Sequence, residues 1–346
     1  MNITFLLPHL KIAGGTRVLL IYANALAKRG HKVNVLVQSK KFIRRFLANL
    51  LHYKPRWISD FWARILRVPN FDETNIPDAD LIIASAWQHA LLIREYPDNK
   101  GIKVHFIQHD ERLYHGDRKK VDESYRLPFK KIVVSSWLKE MIKREYGFEA
   151  ELLLNTVDRN IFYPVEVKKE EDSVRILILD HDYEWKGTKE GVEVFKNIKK
   201  NYPNLKLIMF GARRKEIDLP CDEYYYNLPQ KKLAWLYSSC HIFLCSSWDE
   251  GFGLPSLEAM ASKCTVVTYD NGGCRDYAFD GQTAFVAKRR DMADLETKLE
   301  LAVKDKVLRE RIAENGYQFT QEMPTWEEQA EKLENIFKKA LETNAQ

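Results

Sequence analysis

The sequence predicts an α/β fold made of two Rossmann-like, doubly wound domains. Three observations carry that prediction. Apolar runs of strand length alternate with helical stretches, a polar and charged stretch interrupts the alternation near the middle of the chain, and the alternation then starts again. A chain of 346 residues is long enough for two domains, and its 45% hydrophobic and 12% aromatic content can fill two cores.

The first series opens with NITFLL (2–7), read as a buried strand. PHLKIAGG follows as a loop, TRVLLIYANALAKRG has helical spacing, and HKVNVLV (31–37) is the second strand. A strand–loop–helix–strand unit of this kind starts an open parallel sheet. Apolar runs at 80–84, 103–107 and 131–135 continue it, each with a helical stretch nearby. VEVKKEEDS (165–173) turns polar and marks the link between domains, with 165–171 as the linker itself. The second series comprises RILILD (175–180), LKLIMFG (205–211), HIFLCSS (241–247) and CTVVTYD (264–270). The expected domains are therefore 1–164 and 172–323. The tail WEEQAEKLENIFKKALE (326–342) has the spacing of an amphipathic helix.

Composition narrows the class. Mean hydropathy is −0.42, which favours a soluble chain. The net charge of +5 is too small to imply a nucleic-acid partner, and the second half has no basic patch to match the first. Five cysteines (Cys221, Cys240, Cys245, Cys264, Cys274) form no CxxC and no dense framework, so buried free thiols in a reducing compartment are expected. MNITFLLPHLK lacks the basic start of a secretory signal, and no run approaches the ~20 apolar residues that span a bilayer. The expected location is the cytoplasm.

Gly14 and Gly15 follow the first strand and precede a helix. Glycines let a backbone approach a ligand, and a helix start offers free N–H groups to a phosphate. A tight turn needs glycine on steric grounds alone, so both readings stand. The pattern is not GxGxxG, which argues against a dinucleotide site. Asp180-His181-Asp182 follows a strand, where a D-x-D could hold a divalent metal. Lys186, just before the next helix, offers a cation in place of that metal, so no metal is expected.

DEGFGLPSLEAMASKC (249–264) is the most informative stretch. It follows a strand, and Pro255 suits the first turn of a helix. Open α/β sheets bind ligands at the carboxyl ends of their strands, so Glu250 belongs in a binding loop and Glu258 about one turn into the helix. Gly251 and Gly253 expose backbone amides between them. Two carboxylates so placed can grip a polyhydroxylated molecule at two points. Glu258 has a structural alternative, as a favourable charge near a helix start.

One segment stands apart. Residues 39–70 hold eight Lys and Arg against a single acid, Asp60. Phe42, Ile43, Phe46, Leu47, Leu50 and Leu51 keep helical spacing, and after Pro55 the same spacing recurs at Trp57, Ile58, Phe61, Trp62, Ile65 and Leu66. Two basic amphipathic helices are expected. They suit either the inner, anionic face of a membrane, making the protein peripheral there, or packing on the first domain with the charges solvated.

EGFGLPSLEAM resembles the E-x7-E signature of glycosyltransferase family 4, the retaining enzymes of the GT-B fold. The likeness extends in order through GGTRVLLIYANALAKRGHKVNVL, FIQHDE, VSSWLKEMIKREYG, LLNTVDRNIFYP, WKGTKEGVEVF, LAWLYSSCHIFLCSSWDEGFGLP and YDNGGCRDYAFDGQTAFV. FIQHDE also looks like relatives that build bacterial surface polysaccharides. The resemblance implies two lobes facing across a cleft, an N-terminal acceptor domain and a C-terminal donor domain, with residues 324–346 crossing back to the first. It implies transfer of a hexose from a nucleoside-diphosphate sugar to a saccharide or lipid-linked acceptor, with retention and without a cofactor or metal. Glu250 would contact the sugar hydroxyls, with Gly251, Phe252, Gly253 and Leu254 alongside. Glu258 would hold the ribose, Lys186 and the Gly14–Gly15 loop the diphosphate, and His109 would lie by the transferred sugar. The chain departs from the family at His181, Thr156 and Lys263, where the family has Arg, Gly and Gly. His181 lacks the planar two-pronged grip of Arg, which puts a diphosphate contact there in question. Two rivals share the fold: a nucleotide-sugar epimerase, which needs no acceptor, and a protein that binds the nucleotide sugar without turning it over.

Overall fold

The computed structural model describes the chain except residues 12, 52–53, 56–57, 59, 115, 168–171, 213–219 and 345–346, and except the side chains of residues 44, 45 and 48. Two compact units emerge: Met1–Asn155 with Thr325–Gln346, and Thr156–Pro324. The division at 155/156 precedes the 165–171 stretch, of which 168–171 lie outside the described residues.

Among the described residues the first unit holds seven parallel strands: β1 (Asn2–Leu7), β2 (Lys32–Gln38), β3 (Arg64–Val68), β4 (Leu81–Ala84), β5 (Ile102–Ile107), β6 (Lys130–Val133) and β7 (Glu151–Leu152), in the order β3-β2-β1-β4-β5-β6-β7. Helices α1 (Gly14–Lys28), α2 (Phe42–Leu50), α3 (Trp87–Ile93), α4 (Arg118–Arg126) and α5 (Ser136–Tyr146) connect them. A parallel sheet is covered on both faces, which is why β1 from Ile3 onward and all of β4 are buried without a break. The C-terminal helix Trp326–Asn344 belongs to this unit. Its Trp326 ring packs edge-on against Tyr22 of α1 at 5.4 Å. Burial alone would raise the Glu334 carboxyl, but hydrogen bonds from Lys338 and Arg29 outweigh it and hold the group down at about 2.

Among the described residues of this unit two histidines are buried. His105 on β5 is fully enclosed beside the Tyr125 ring, and burial lowers its pKa to about 3. His89 on α3 stands edge-on to Phe71, and burial lowers it to about 4.

The second basic helix expected after Pro55 is a strand. Phe61, Ala63 and Ile65 are buried while Trp62 and Arg64 are exposed, and Arg64–Val68 pairs with β2 as β3. The error has a simple cause: positions four apart suit a period of 2 as well as one of 3.6, and the inward Ala63 decides for 2. Trp57 of that segment lies outside the described residues.

The second unit holds β8 (Val174–Asp180), β9 (Leu205–Gly211), β10 (Glu223–Tyr226), β11 (Ile242–Cys245), β12 (Thr265–Tyr269) and β13 (Phe285–Ala287), again parallel, in the order β10-β9-β8-β11-β12-β13. Its helices are α6 (Thr188–Lys199), α7 (Gln230–Ser239), α8 (Leu254–Ala261), α9 (Met292–Lys304) and α10 (Lys306–Glu322). The Thr156 hydroxyl donates to the Pro324 carbonyl at 2.6 Å, tying together the two ends of the unit. A glycine could not make this bond. The five cysteines are free thiols, four of them buried and Cys221 half-buried.

Candidate functional site

In the second unit the strand order reverses between β8 and β11. The loops leaving those two strands must therefore diverge, and their carboxyl ends form a crest where open α/β sheets take ligands. The β8 loop carries His181 and a short helical turn, Glu184–Lys186. The β11 loop carries Ser246 to Gly253.

The two loops are locked together. Gly187 has φ +63°, and a Cβ there would sit 2.0 Å from the Ser246 carbonyl oxygen, so only glycine fits. Ser246 Oγ donates to the Gly187 carbonyl at 2.8 Å, and the Trp248 amide donates to the Trp185 carbonyl at 2.8 Å. This closure brings Lys186 Nζ to 2.6 Å from Glu250 Oε1, across 64 residues of chain. Both side chains are largely shielded, 19% and 11% exposed, which strengthens a charged hydrogen bond over its surface equivalent.

Glu250 is fixed from behind as well. Its amide donates to Asn271 O at 2.9 Å. Gly273 passes so close to Phe252 that a Cβ would lie 2.6 Å from its backbone. The Phe252 ring is buried against Tyr277 at 5.3 Å. Gly253 has φ +88°, and the Tyr277 hydroxyl donates to its carbonyl at 2.8 Å. Gly251 is buried in the same turn, and Leu254 opens α8 with Pro255 in its first turn. Glu258 lies one turn along, only 3% exposed, with the Tyr237 hydroxyl 3.5 Å away. A small pocket of this unit is lined by Lys186, Ser246, Ser247, Glu250, Gly253 and Ser256.

A support not evident in the sequence lies beneath the loop. Glu190, in the first turn of α6, accepts from Trp248 Nε1 at 2.7 Å and from the Tyr269 hydroxyl on β12. Arg290 covers the Trp248 ring at 3.9 Å, and Arg289 donates twice to Asp249. Trp248 is thus held on its edge and its face, two residues before Glu250. No short motif announces this, because its members come from four separate segments.

His181 is engaged locally. Its Nδ1 accepts from the Tyr183 amide at 3.1 Å, and its ring leans on Tyr183, which stacks on Trp185 at 4.2 Å. Asp180 accepts from the Tyr224 hydroxyl at 2.9 Å. Among the described residues no group of three or more His, Cys, Asp or Glu is arranged to hold a metal ion.

The remaining expected residues lie in the first unit. Gly14 and Gly15 open α1 itself rather than forming the loop before it, and neither has a positive φ. Gly15 is small so that Gln108 can lie against it: Gln108 Nε2 donates to the Gly15 carbonyl at 3.2 Å. His109 follows Gln108 at the end of β5, so the glycines and the histidine meet at one crest. His109 Nδ1 lies 3.1 Å from the Asp110 carbonyl, and the Tyr125 hydroxyl donates to the His109 carbonyl at 3.1 Å. Beside it Glu111 accepts from the Trp87 amide at the start of α3, and burial raises its pKa to about 8.

Residues 161–319 match the family model described as Glycosyl transferases group 1. The second unit belongs to the glycosyl transferases group 1 family. The capsular polysaccharide biosynthesis glycosyltransferase CapM of Staphylococcus aureus is 28% identical over 171 residues, 45% of this chain and 44% of that protein. Matched stretches cover 22% to 55% of the length of three such curated relatives, so the chain spans about half of them or less. Among solved structures, the sucrose-phosphate synthase of Thermosynechococcus elongatus superposes with a TM-score of 0.80 over 99% of both chains at 16% identity. Anabaena HepE, solved with UDP-glucose, gives 0.78 over 98% of this chain and 100% of its own, at 15% identity. At such identities the match speaks for the fold, which is the expected GT-B class of group 1 glycosyl transferases.

Proposed function

We propose that this chain is a retaining glycosyltransferase that moves a hexose from a nucleoside-diphosphate sugar to a saccharide or lipid-linked acceptor, without a metal. The Lys186–Glu250 pair at the β8/β11 reversal, inside the stretch that matches the family model, carries the reading. HepE, solved with UDP-glucose, supports a nucleotide-sugar donor by its likeness in fold.

In the reaction the bond from the anomeric carbon to the diphosphate oxygen breaks, and a bond from that carbon to the acceptor oxygen forms on the same face. The acceptor proton passes to the departing diphosphate. Negative charge grows on the leaving group, so a fixed cation beside it lowers the barrier most. Lys186 has that role: the diphosphate takes over the ammonium that Glu250 holds, and Glu250 turns its lone pairs to the sugar hydroxyls. Glu258 accepts from the ribose.

A thermal-shift screen with UDP-, GDP- and dTDP-sugars should find a donor that raises the melting temperature. With that donor and an acceptor, nucleoside diphosphate should be released at a rate unchanged by EDTA, and NMR should show the anomeric configuration kept. An inverted product would overturn retention. A new sugar formed without acceptor would replace the reading by epimerisation, and binding without release would replace it by a non-catalytic role.

A further inference from the structure

We propose that the outward face of α2 docks the protein onto an anionic lipid surface, a reading independent of the sugar chemistry above. Phe42, Ile43, Phe46, Leu47 and Leu50, with Leu51 just beyond, are between 46% and 74% exposed. In a helix of a soluble domain such a stripe faces the core. Here Asn49 makes a polar contact with the body. Asn49 Nδ2 donates to the Arg67 carbonyl at 3.0 Å and its Oδ1 accepts from the Arg67 amide at 2.8 Å, so a side-chain amide takes the place of a further strand on the edge of β3. The helix is therefore held with its large apolar side chains turned outward.

The surroundings of the stripe select the occupant. Lys40 and Lys41 before it and Lys54 after it in the chain are exposed. The sole acid of 39–70, Asp60, is already bound by Lys28 at 2.9 Å and by Trp62 Nε1 at 2.7 Å. Apolar side chains with exposed lysines before and after them in the chain match acyl chains beneath anionic headgroups. A second copy meeting this face would set like charges against one another. Among the described residues no helix is long and apolar enough to cross a membrane, so the contact is one of a helix lying in the surface.

The test is flotation of the full chain with phosphatidylcholine vesicles that contain or lack phosphatidylglycerol. Wild type should float only with the anionic vesicles, and high salt should weaken that by roughly tenfold. Phe42→Ser/Phe46→Ser/Leu50→Ser removes exposed groups only, so its thermal unfolding should match wild type while its partitioning falls roughly a hundredfold. Lys40→Glu/Lys41→Glu should reduce binding to anionic vesicles by roughly tenfold. The proposal fails if wild type ignores anionic vesicles, or if the triple serine variant still binds them. It also fails if sedimentation shows a wild-type dimer that this variant dissolves, since the face would then pair two copies.

Discussion

The crest of the first sheet and the crest of the second are built on the same topology but are closed by different contacts. At the first, the ion pair nearest His109 joins Asp110 to Arg112, two residues apart, and Arg112 also reaches Glu145 on α5. At the second, the pair joins Lys186 to Glu250 across two loops on either side of the strand reversal. A local pair braces its own loop. A long-range pair at a reversal exists only because the fold brings two loops together, and in the proposed reaction it exchanges partners when the diphosphate arrives. The lesson is that parallel topology fixes where each crest lies, while side chains drawn from separate segments decide what closes it.

The sharpest way to break this contrast is to remove one cation from each crest. Lys186→Ala should lower nucleoside diphosphate release by roughly 10²- to 10³-fold while the melting transition stays cooperative. Arg112→Ala should leave kcat within a few-fold and act on stability instead. Equal losses of kcat would erase the distinction.

Acid separates the units next. His89 and His105 are neutral in the folded first unit, with pKa values lowered to about 4 and about 3, and they take protons on unfolding. Their contribution is therefore complete above about pH 6.5 and is lost as the pH falls, at about 1.4 kcal/mol per pH unit for each. The buried Glu111 carboxyl, raised to about 8, opposes them between pH 5 and pH 7, because it gives up its proton on unfolding. Urea unfolding of Glu111→Gln at pH 7 and pH 5 therefore measures the histidines, and adding His89→Gln should flatten the slope. An unchanged midpoint between the two pH values in Glu111→Gln would contradict it.

The support under the second crest comes third. Glu190→Ala leaves Trp248 Nε1 and the Tyr269 hydroxyl without their acceptor and should cost roughly 3 kcal/mol of stability. It should also lower kcat more than it raises KM, because Glu250 loses its orientation. Glu190→Gln, which keeps an acceptor oxygen, should restore much of both. A purely structural role would move stability and leave kcat alone.

Lys263 gives the smallest effect. It has φ +53°, a left-handed conformation at the end of α8 that glycine adopts without strain. Its ammonium pairs with Glu314 at 2.6 Å and sits over the Tyr317 ring. Lys263→Gly should relieve about 1 kcal/mol of backbone strain and lose part of that gain with the half-exposed ion pair. A rise in melting temperature of a few degrees or less is expected, and a fall would show that the side-chain contacts outweigh the strain.

Central strands were legible in the sequence and edge strands were not. β1, β2, β4, β5 and β6, and later β8, β9, β11 and β12, are flanked on both sides and read as apolar runs. β3, β7, β10 and β13 close the two sheets and are short, polar or alternating. An edge strand has one neighbour and more solvent, so its composition carries less signal. The same weakness turned β3 into a false helix. At the candidate site, Glu250, Gly253 and Glu258 were visible because they share one loop-and-helix motif. Glu190, Trp248, Tyr269 and Arg290 were not, because nothing in the linear order joins them.

The sequence by itself determined the α/β class, the two parallel series and the residue types set at the ends of β8 and β11, since periodicity, glycine and proline act locally. Only the tertiary structure decided that Lys186 meets Glu250, that Glu190 props the loop between them, and that α2 turns its apolar side outward. Those are distances between segments far apart in the chain, and they follow from how the parallel strands pack rather than from any local preference.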